Sequence, residues 1–130
     1  MNPVNQRLGF HYIWDVSGCN HESLATVSPI KSIMDEILAV TGLTVLKEAY
    51  NQFAPHGVTG VYLLAESHFS IHTWPENGYA AFDLFSCIPV NQTDQIAEIM
   101  RNHLGEQVNI NLRTLSREVD VKVVSDSLTV

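Results

Sequence analysis

The sequence predicts an α+β fold, a two-layer α/β sandwich in which an antiparallel sheet is covered on one face by two helices and which pairs into a dimer. Two stretches space their apolar residues by three and four, the period of an amphipathic helix. Between them, four β-rich segments follow one another with only turn residues in between, an order that favours antiparallel pairing over crossover connections. With 130 residues the chain fits one domain, 1–130, long enough to bury a core of its own.

In chain order, Gly9 to Val16 mixes aromatic and branched residues as a first strand, stopped by Ser17-Gly18-Cys19-Asn20. Ser28 and Pro29 read as an N-cap and first turn; Ile30, Ile33, Met34, Ile37 and Leu38 supply the apolar stripe of a helix that Gly42 stops. Leu43 to Phe53, Val58 to Glu66, His68 to Trp74 and Tyr79 to Cys87 are the four strand segments, parted by Pro55-His56-Gly57 and Pro75-Glu76-Asn77-Gly78. Asn91 or Thr93 is expected to cap a second helix with Ile96, Ile99, Met100 and Leu104 inward and Gly105 at its end. Two short strands, Val108 to Leu112 and Val119 to Val124, complete the pattern, and Ser125-Asp126-Ser127 is expected to fray. Two helices cover one sheet face only. If the other carries Tyr, Phe and Trp, it faces a ligand or a second subunit, hence the expected homodimer.

Seven Lys and Arg stand against fourteen Asp and Glu, a formal charge of -7. That sign opposes phosphate neutralisation and argues against nucleic-acid binding, while it tolerates a cationic small molecule. No apolar run has the length of a membrane span, and Met1 to Arg7 lacks the charged-then-apolar order of a signal peptide, so a cytoplasmic location is expected. In a reducing compartment Cys19 and Cys87 are expected to be free thiols.

Chemistry concentrates between Leu64 and Cys87, which hold Glu66, Ser67, His68, Ser70, His72, Asp83 and Cys87. In a strand, Glu66, His68, Ser70 and His72 share one face, and Ser67, Phe69, Ile71 and Thr73 the other. A metal site is disfavoured, because His68 and His72 at strand spacing lie roughly 13 Å apart and would need ligands such as His11 or His21 from elsewhere. A Ser67–His72–Asp83 hydrolase lacks the glycine-flanked nucleophile turn. The bland reading is that these polar groups merely satisfy one another on a half-buried face, since unpaired buried polar groups are costly.

The run from Glu66-Ser67-His68-Phe69-Ser70-Ile71-His72-Thr73-Trp74-Pro75-Glu76 through Gly78 to Cys87 closely resembles the core motif of the prokaryotic S-adenosylmethionine decarboxylase proenzymes. Phe53-Ala54-Pro55-His56-Gly57-Val58-Thr59-Gly60-Val61 resembles the family segment F-x-P-x-G-V-S-G-V, and Gly9-Phe10-His11 with Asp15 and Cys19 resembles its N-terminal strand. The resemblance spans roughly residues 8 to 124 and is strongest from 53 to 87. It implies an α/β sandwich that dimerises.

It also implies a pyruvoyl-dependent decarboxylase that cuts itself between Glu66 and Ser67, giving 1–66 and 67–130. The Ser67 hydroxyl attacks the preceding carbonyl, elimination follows from the resulting ester, and loss of ammonia leaves a pyruvoyl group on the new terminus. This group forms the Schiff base with substrate and acts as the electron sink that decarboxylation requires. By the same resemblance His72 is the processing proton acceptor, Thr59 supports it in place of the usual serine, and Cys87 is the proton donor in turnover. Phe53 is the aromatic that stacks on adenine; Glu76 and His11 are further substrate-binding candidates. No metal is expected. The implied reaction converts S-adenosylmethionine to its decarboxylated form for spermidine synthesis. Three departures, Asn51 and Gln52 where the family has histidine and a basic residue, and Ile88 where it has glycine, leave open the same chemistry on arginine or ornithine. An unprocessed regulatory homologue is a lower alternative.

Overall fold

A computed structural model describes residues 5–120. Six strands and three helices appear in the order β1 (Asn5–Ser17), α1 (His21–Ala25), α2 (Val27–Thr41), β2 (Val45–Gln52), β3 (Val58–Leu64), β4 (Ser67–Trp74), β5 (Tyr79–Ser86), α3 (Thr93–Leu104) and β6 (Asn109–Asp120), with a single 3-10 turn at Pro75–Asn77. The strands form one sheet, ordered β2-β3-β4-β5-β1-β6, with every neighbouring pair antiparallel.

Alternation along the strands divides the sheet faces. Tyr12, Trp14 and Val16 of β1, Phe69 and Ile71 of β4, and Ala80, Phe82 and Leu84 of β5 are buried against Leu24, Ile30, Ile33, Met34 and Ile37 and against Ile96 and Met100 of α3. Each large apolar side chain hidden this way contributes roughly 1.5–3 kcal/mol. The alternate residues His68, His72 and Trp74 face outward and are exposed. Two hydroxyls caught on the inner face are paired, whereas the buried Trp14 Nε1–H has no hydrogen-bond partner. The Thr73 hydroxyl donates to Leu24 O at 2.8 Å and accepts from Val58 N at 2.9 Å, and Tyr62 donates to Asp35 at 2.7 Å.

Both expected helices form with their apolar stripes buried. Gly42 ends α2 in the left-handed region at φ 72°, its N–H bonding Leu38 O, a conformation that glycine adopts without a Cβ penalty. The start of α2 differs from the sequence expectation. The helix begins at Val27, not at a Ser28 cap, because the side-chain oxygen of Gln52 accepts the Val27 N–H at 3.0 Å and caps the helix from β2. Neither Asn91 nor Thr93 caps α3: Gln92 occupies that position through its backbone carbonyl, which accepts Ile96 N–H.

Three further corrections concern element number and length. Helix α1, absent from the sequence expectation, is one turn with a single buried residue, Leu24, and so has no periodicity to betray it. The strand expected to run to Glu66 stops at Leu64, since Ala65 and Glu66 make a two-residue turn. The expected pair of short C-terminal strands is instead one strand, β6, paired with β1 almost throughout. Its Arg113, Thr114, Ser116, Arg117 and Glu118 are exposed along a sheet edge, which gives the segment the polarity of a loop. Val121 to Val124 and the tail Ser125 to Ser127 lie outside the described residues.

Candidate active site

Leu64 and Ser67 are paired across the β3–β4 hairpin, so the Glu66–Ser67 peptide bond lies where a tight turn enters a central strand. The turn is clamped from both sides. Ala65 N–H donates to Thr44 O at 2.9 Å, and the Glu66 carboxylate accepts Thr44 N–H at 2.9 Å and the Thr44 hydroxyl at 3.2 Å. The Thr44 backbone N–H is the main reason the Glu66 carboxyl is held below its ordinary range. The Glu66 peptide carbonyl accepts Cys87 N–H at 2.9 Å. Ser67 has φ 154°, the one positive φ of a non-glycine among the described residues; such a conformation costs on the order of 1–3 kcal/mol. Cys87 follows β5 with an exposed free thiol, and Cys19 is a buried one. Burial pushes the Cys19 thiol up to about 11.

A second group lies at the other end of β4. Thr59 and His72 are register partners, with Thr59 Oγ1 3.1 Å from His72 Nδ1. They border a cavity of about 330 Å³ together with Phe53, His56, Trp74 and Glu76. Phe53 and Trp74 are 49% and 41% exposed, so two aromatic faces remain free for a ligand. His56 Nε2 lies 3.3 Å from Glu76 Oε1, which directs this carboxylate toward the cavity rim.

The sequence gathers Ser67 and His72 into one cluster, but the chain does not bring them together. Five residues of strand separate them by roughly 16 Å, and Ser67 has the parity of buried Phe69 and Ile71 while His72 has that of the exposed face. The predicted site residues therefore fall into two separate groups: Glu66, Ser67 and Cys87 in one, Phe53, Thr59, His72 and Glu76 in the other. Asp83 pairs opposite Ser70 and bonds His11, so a Ser67–His72–Asp83 triad is not formed. On the open face His11 also meets Phe85 edge-on at 5.7 Å, placing it nearer the Ser67 end than the aromatic cavity. Sequence reasoning missed Trp74 and His56 as cavity residues. It considered His68 only as a metal ligand. No group of three or more His, Cys, Asp or Glu able to hold a metal occurs among the described residues, and none of their helices is long and apolar enough to cross a membrane.

The family model described as S-adenosylmethionine decarboxylase matches residues 10–118, which include both residue groups. The chain belongs to the S-adenosylmethionine decarboxylase family. Among relatives in this family, the S-adenosylmethionine decarboxylase proenzyme of Prochlorococcus marinus (strain MIT 9313) is 40% identical over 111 residues, 85% of this chain and 88% of that one. The proenzyme of Thermosipho melanesiensis is 48% identical over 80 residues, 62% of each chain. The crystal structure of the adenosylmethionine decarboxylase from Aquifex aeolicus VF5 superposes with a TM-score of 0.71 at 32% identity, covering 83% of this chain and 90% of that one. Against this S-adenosylmethionine decarboxylase background, Gln52 proves not to be a pocket substitution. Its amide donates to Ala25 O, Phe53 O and Gly57 O at 2.9, 3.1 and 3.1 Å, so the polar head is spent on the turn that carries Phe53.

Proposed function

We propose that the chain is a self-processing, pyruvoyl-dependent decarboxylase that converts S-adenosylmethionine to decarboxylated S-adenosylmethionine and carbon dioxide for spermidine synthesis. One observation carries the reading: Ser67, in a strained conformation, directly follows a carbonyl whose oxygen is already held by the Cys87 N–H. That donor stabilises negative charge on the oxygen when the Ser67 hydroxyl attacks, and cutting the bond abolishes the strained torsion altogether. Ser67 thus becomes the precursor of the pyruvoyl group, which supplies the electron sink for the carbanion left by decarboxylation. The intact Glu66-Ser67 pair, its clamps and the neighbouring thiol fit that origin. Cys87 delivers the proton that quenches the product: its thiol is free and exposed, and its backbone N–H bonds the carbonyl that precedes Ser67.

His72 is the acceptor for the Ser67 α-proton in the elimination step. Because roughly 16 Å of strand separates the two in one chain, the imidazole acting on Ser67 belongs to the partner subunit's His72 in a homodimer. Thr59 at Nδ1 orients this ring. Exposed Val61, Leu63 and Leu115 on the open sheet face provide apolar surface for such a pairing. The same pairing joins the Phe53 and Trp74 cavity to the opposite chain's Ser67, so that the aromatic rings sandwich adenine while Glu76 holds ribose hydroxyls and His11 lines the approach. The cationic substrate suits a chain of formal charge -7, and the enzyme is a cytoplasmic one that needs no metal, nucleic acid or membrane.

Arginine or ornithine as substrate finds less support, because Gln52 is engaged by the loop and relatives 40–48% identical are named for S-adenosylmethionine. Intact-mass analysis on denaturing gels should give two fragments, 1–66 and a pyruvoyl-started 67–130. Carbon dioxide release should be greatest from S-adenosylmethionine when it is offered beside arginine and ornithine. Ser67→Ala should stay whole, and Cys87→Ala should cut yet turn over about 100-fold or more slowly. A full-length chain with an ordinary serine overturns the proposal; release from arginine or ornithine alone overturns its substrate.

A further inference from the structure

The attack by Ser67 needs an acceptor for its hydroxyl proton, and within the chain one imidazole is at hand. Ser67 Oγ lies 3.5 Å from Nδ1 of His68, the looser end of hydrogen-bond range that catalytic pairs often show before the reacting geometry tightens. Neighbouring residues of a regular strand point to opposite faces. Here φ 154° at Ser67 departs from the regular pleat and brings its hydroxyl toward the next side chain. The His68 ring is itself located: it lies 5.8 Å from the ring of Phe85, its register partner on β5. His11 meets that ring edge-on, and the Arg117 guanidinium lies 5.9 Å from it.

We infer that His68 is the base of the first processing step, a catalytic residue acting within its own chain; the inference rests on the self-cleavage reading. The Oγ–H proton passes to His68 Nδ1 while Oγ bonds to the Glu66 carbonyl carbon, and the developing oxyanion is held by Cys87 N–H at 2.9 Å. The Glu66 carbon–Ser67 nitrogen bond then breaks as Nδ1 returns the proton to that nitrogen. An ester and a free amine result, with no outside reagent consumed. Removal of the α-proton afterwards is left to the partner subunit's His72. Two bases at two steps stall the chain in two different states.

The test follows full-length His68→Ala, His68→Gln and His72→Ala chains on denaturing gels over time, with and without hydroxylamine, which splits esters and spares ordinary amides. His68→Ala and His68→Gln should cut about 100-fold or more slowly than the parent, resist hydroxylamine, and match the uncut Ser67→Ala chain in thermal midpoint, since the side chain is exposed. Added imidazole should restore cutting of His68→Ala. His72→Ala should remain whole until hydroxylamine splits it. Cutting of His68→Ala at the parent's rate, or its accumulation as a hydroxylamine-sensitive ester, overturns the inference and leaves self-cleavage standing. A parent chain that never cuts overturns the self-cleavage reading instead.

Discussion

Glu66 is held by two different handles, its carboxylate on Thr44 and its peptide carbonyl on Cys87, and only the first responds to acid. Hydrogen bonds to the charged form lower the folded pKa below the ordinary 4.5. Such a group contributes its full stabilisation above the unfolded value and loses it as the pH falls through the lowered folded value. In an uncut Ser67→Ala background, Glu66→Gln should therefore reduce stability near neutrality. The difference between the two chains should vanish as the pH drops below 4.5, read by denaturant unfolding across that range. The contact between Thr59 and His72 was expected from the family resemblance alone, and the register of the β3–β4 hairpin gives its physical reason. The role of Gln52 was hidden, because its partners Ala25 and Val27 come from a different part of the chain and no local pattern announces them.

Among the elements, the β2–β3 connection shows how a single side chain positions an exposed aromatic, Phe53. Gln52 joins the start of α2 to both ends of the Phe53–Gly57 turn. Gly57 N–H adds a bond to Ala25 O at 3.0 Å, and Phe53 N–H one to Gly57 O at 2.8 Å. Removing one such amide forfeits several modest hydrogen bonds, so Gln52→Ala should lower stability by about 1–3 kcal/mol. It should also raise KM for S-adenosylmethionine severalfold with cleavage at Ser67 unaffected, because the turn carries Phe53 and the proposed scissile bond lies at the other end of β4. Thermal unfolding beside steady-state kinetics checks both halves of this expectation. Helices α2 and α3 were legible because five and four buried residues respectively keep their period. Helix α1 and the full length of β6 were not: one turn is too short to show a period, and from Arg113 to Glu118 both faces of the edge strand are exposed, so it need not alternate.

For the whole molecule, a short motif in sequence becomes two residue groups at opposite ends of one strand. The sequence supplied nearly every candidate residue, but not this separation, which follows from extended geometry and not from residue type. If two copies complete each other, mixing Ser67→Ala chains, which retain His72, with His72→Ala chains, which retain Ser67, should restore cutting of the latter only; mass spectrometry of the mixed dimers identifies which chain is cut. The strand order carries a different consequence. If the proposed cut at 66–67 is made, β1, β2 and β3 belong to one fragment and β4, β5 and β6 to the other, yet the sheet runs β2-β3-β4-β5-β1-β6. Three of its five ladders, β3–β4, β5–β1 and β1–β6, then join separate molecules. The precursor finds this interleaving as a single chain, with a first-order folding reaction. A chain cut there and then unfolded would have to find it by collision, with recovery that depends on concentration, so the proposed cut would turn a refoldable chain into an assembly that carries the memory of having once been continuous.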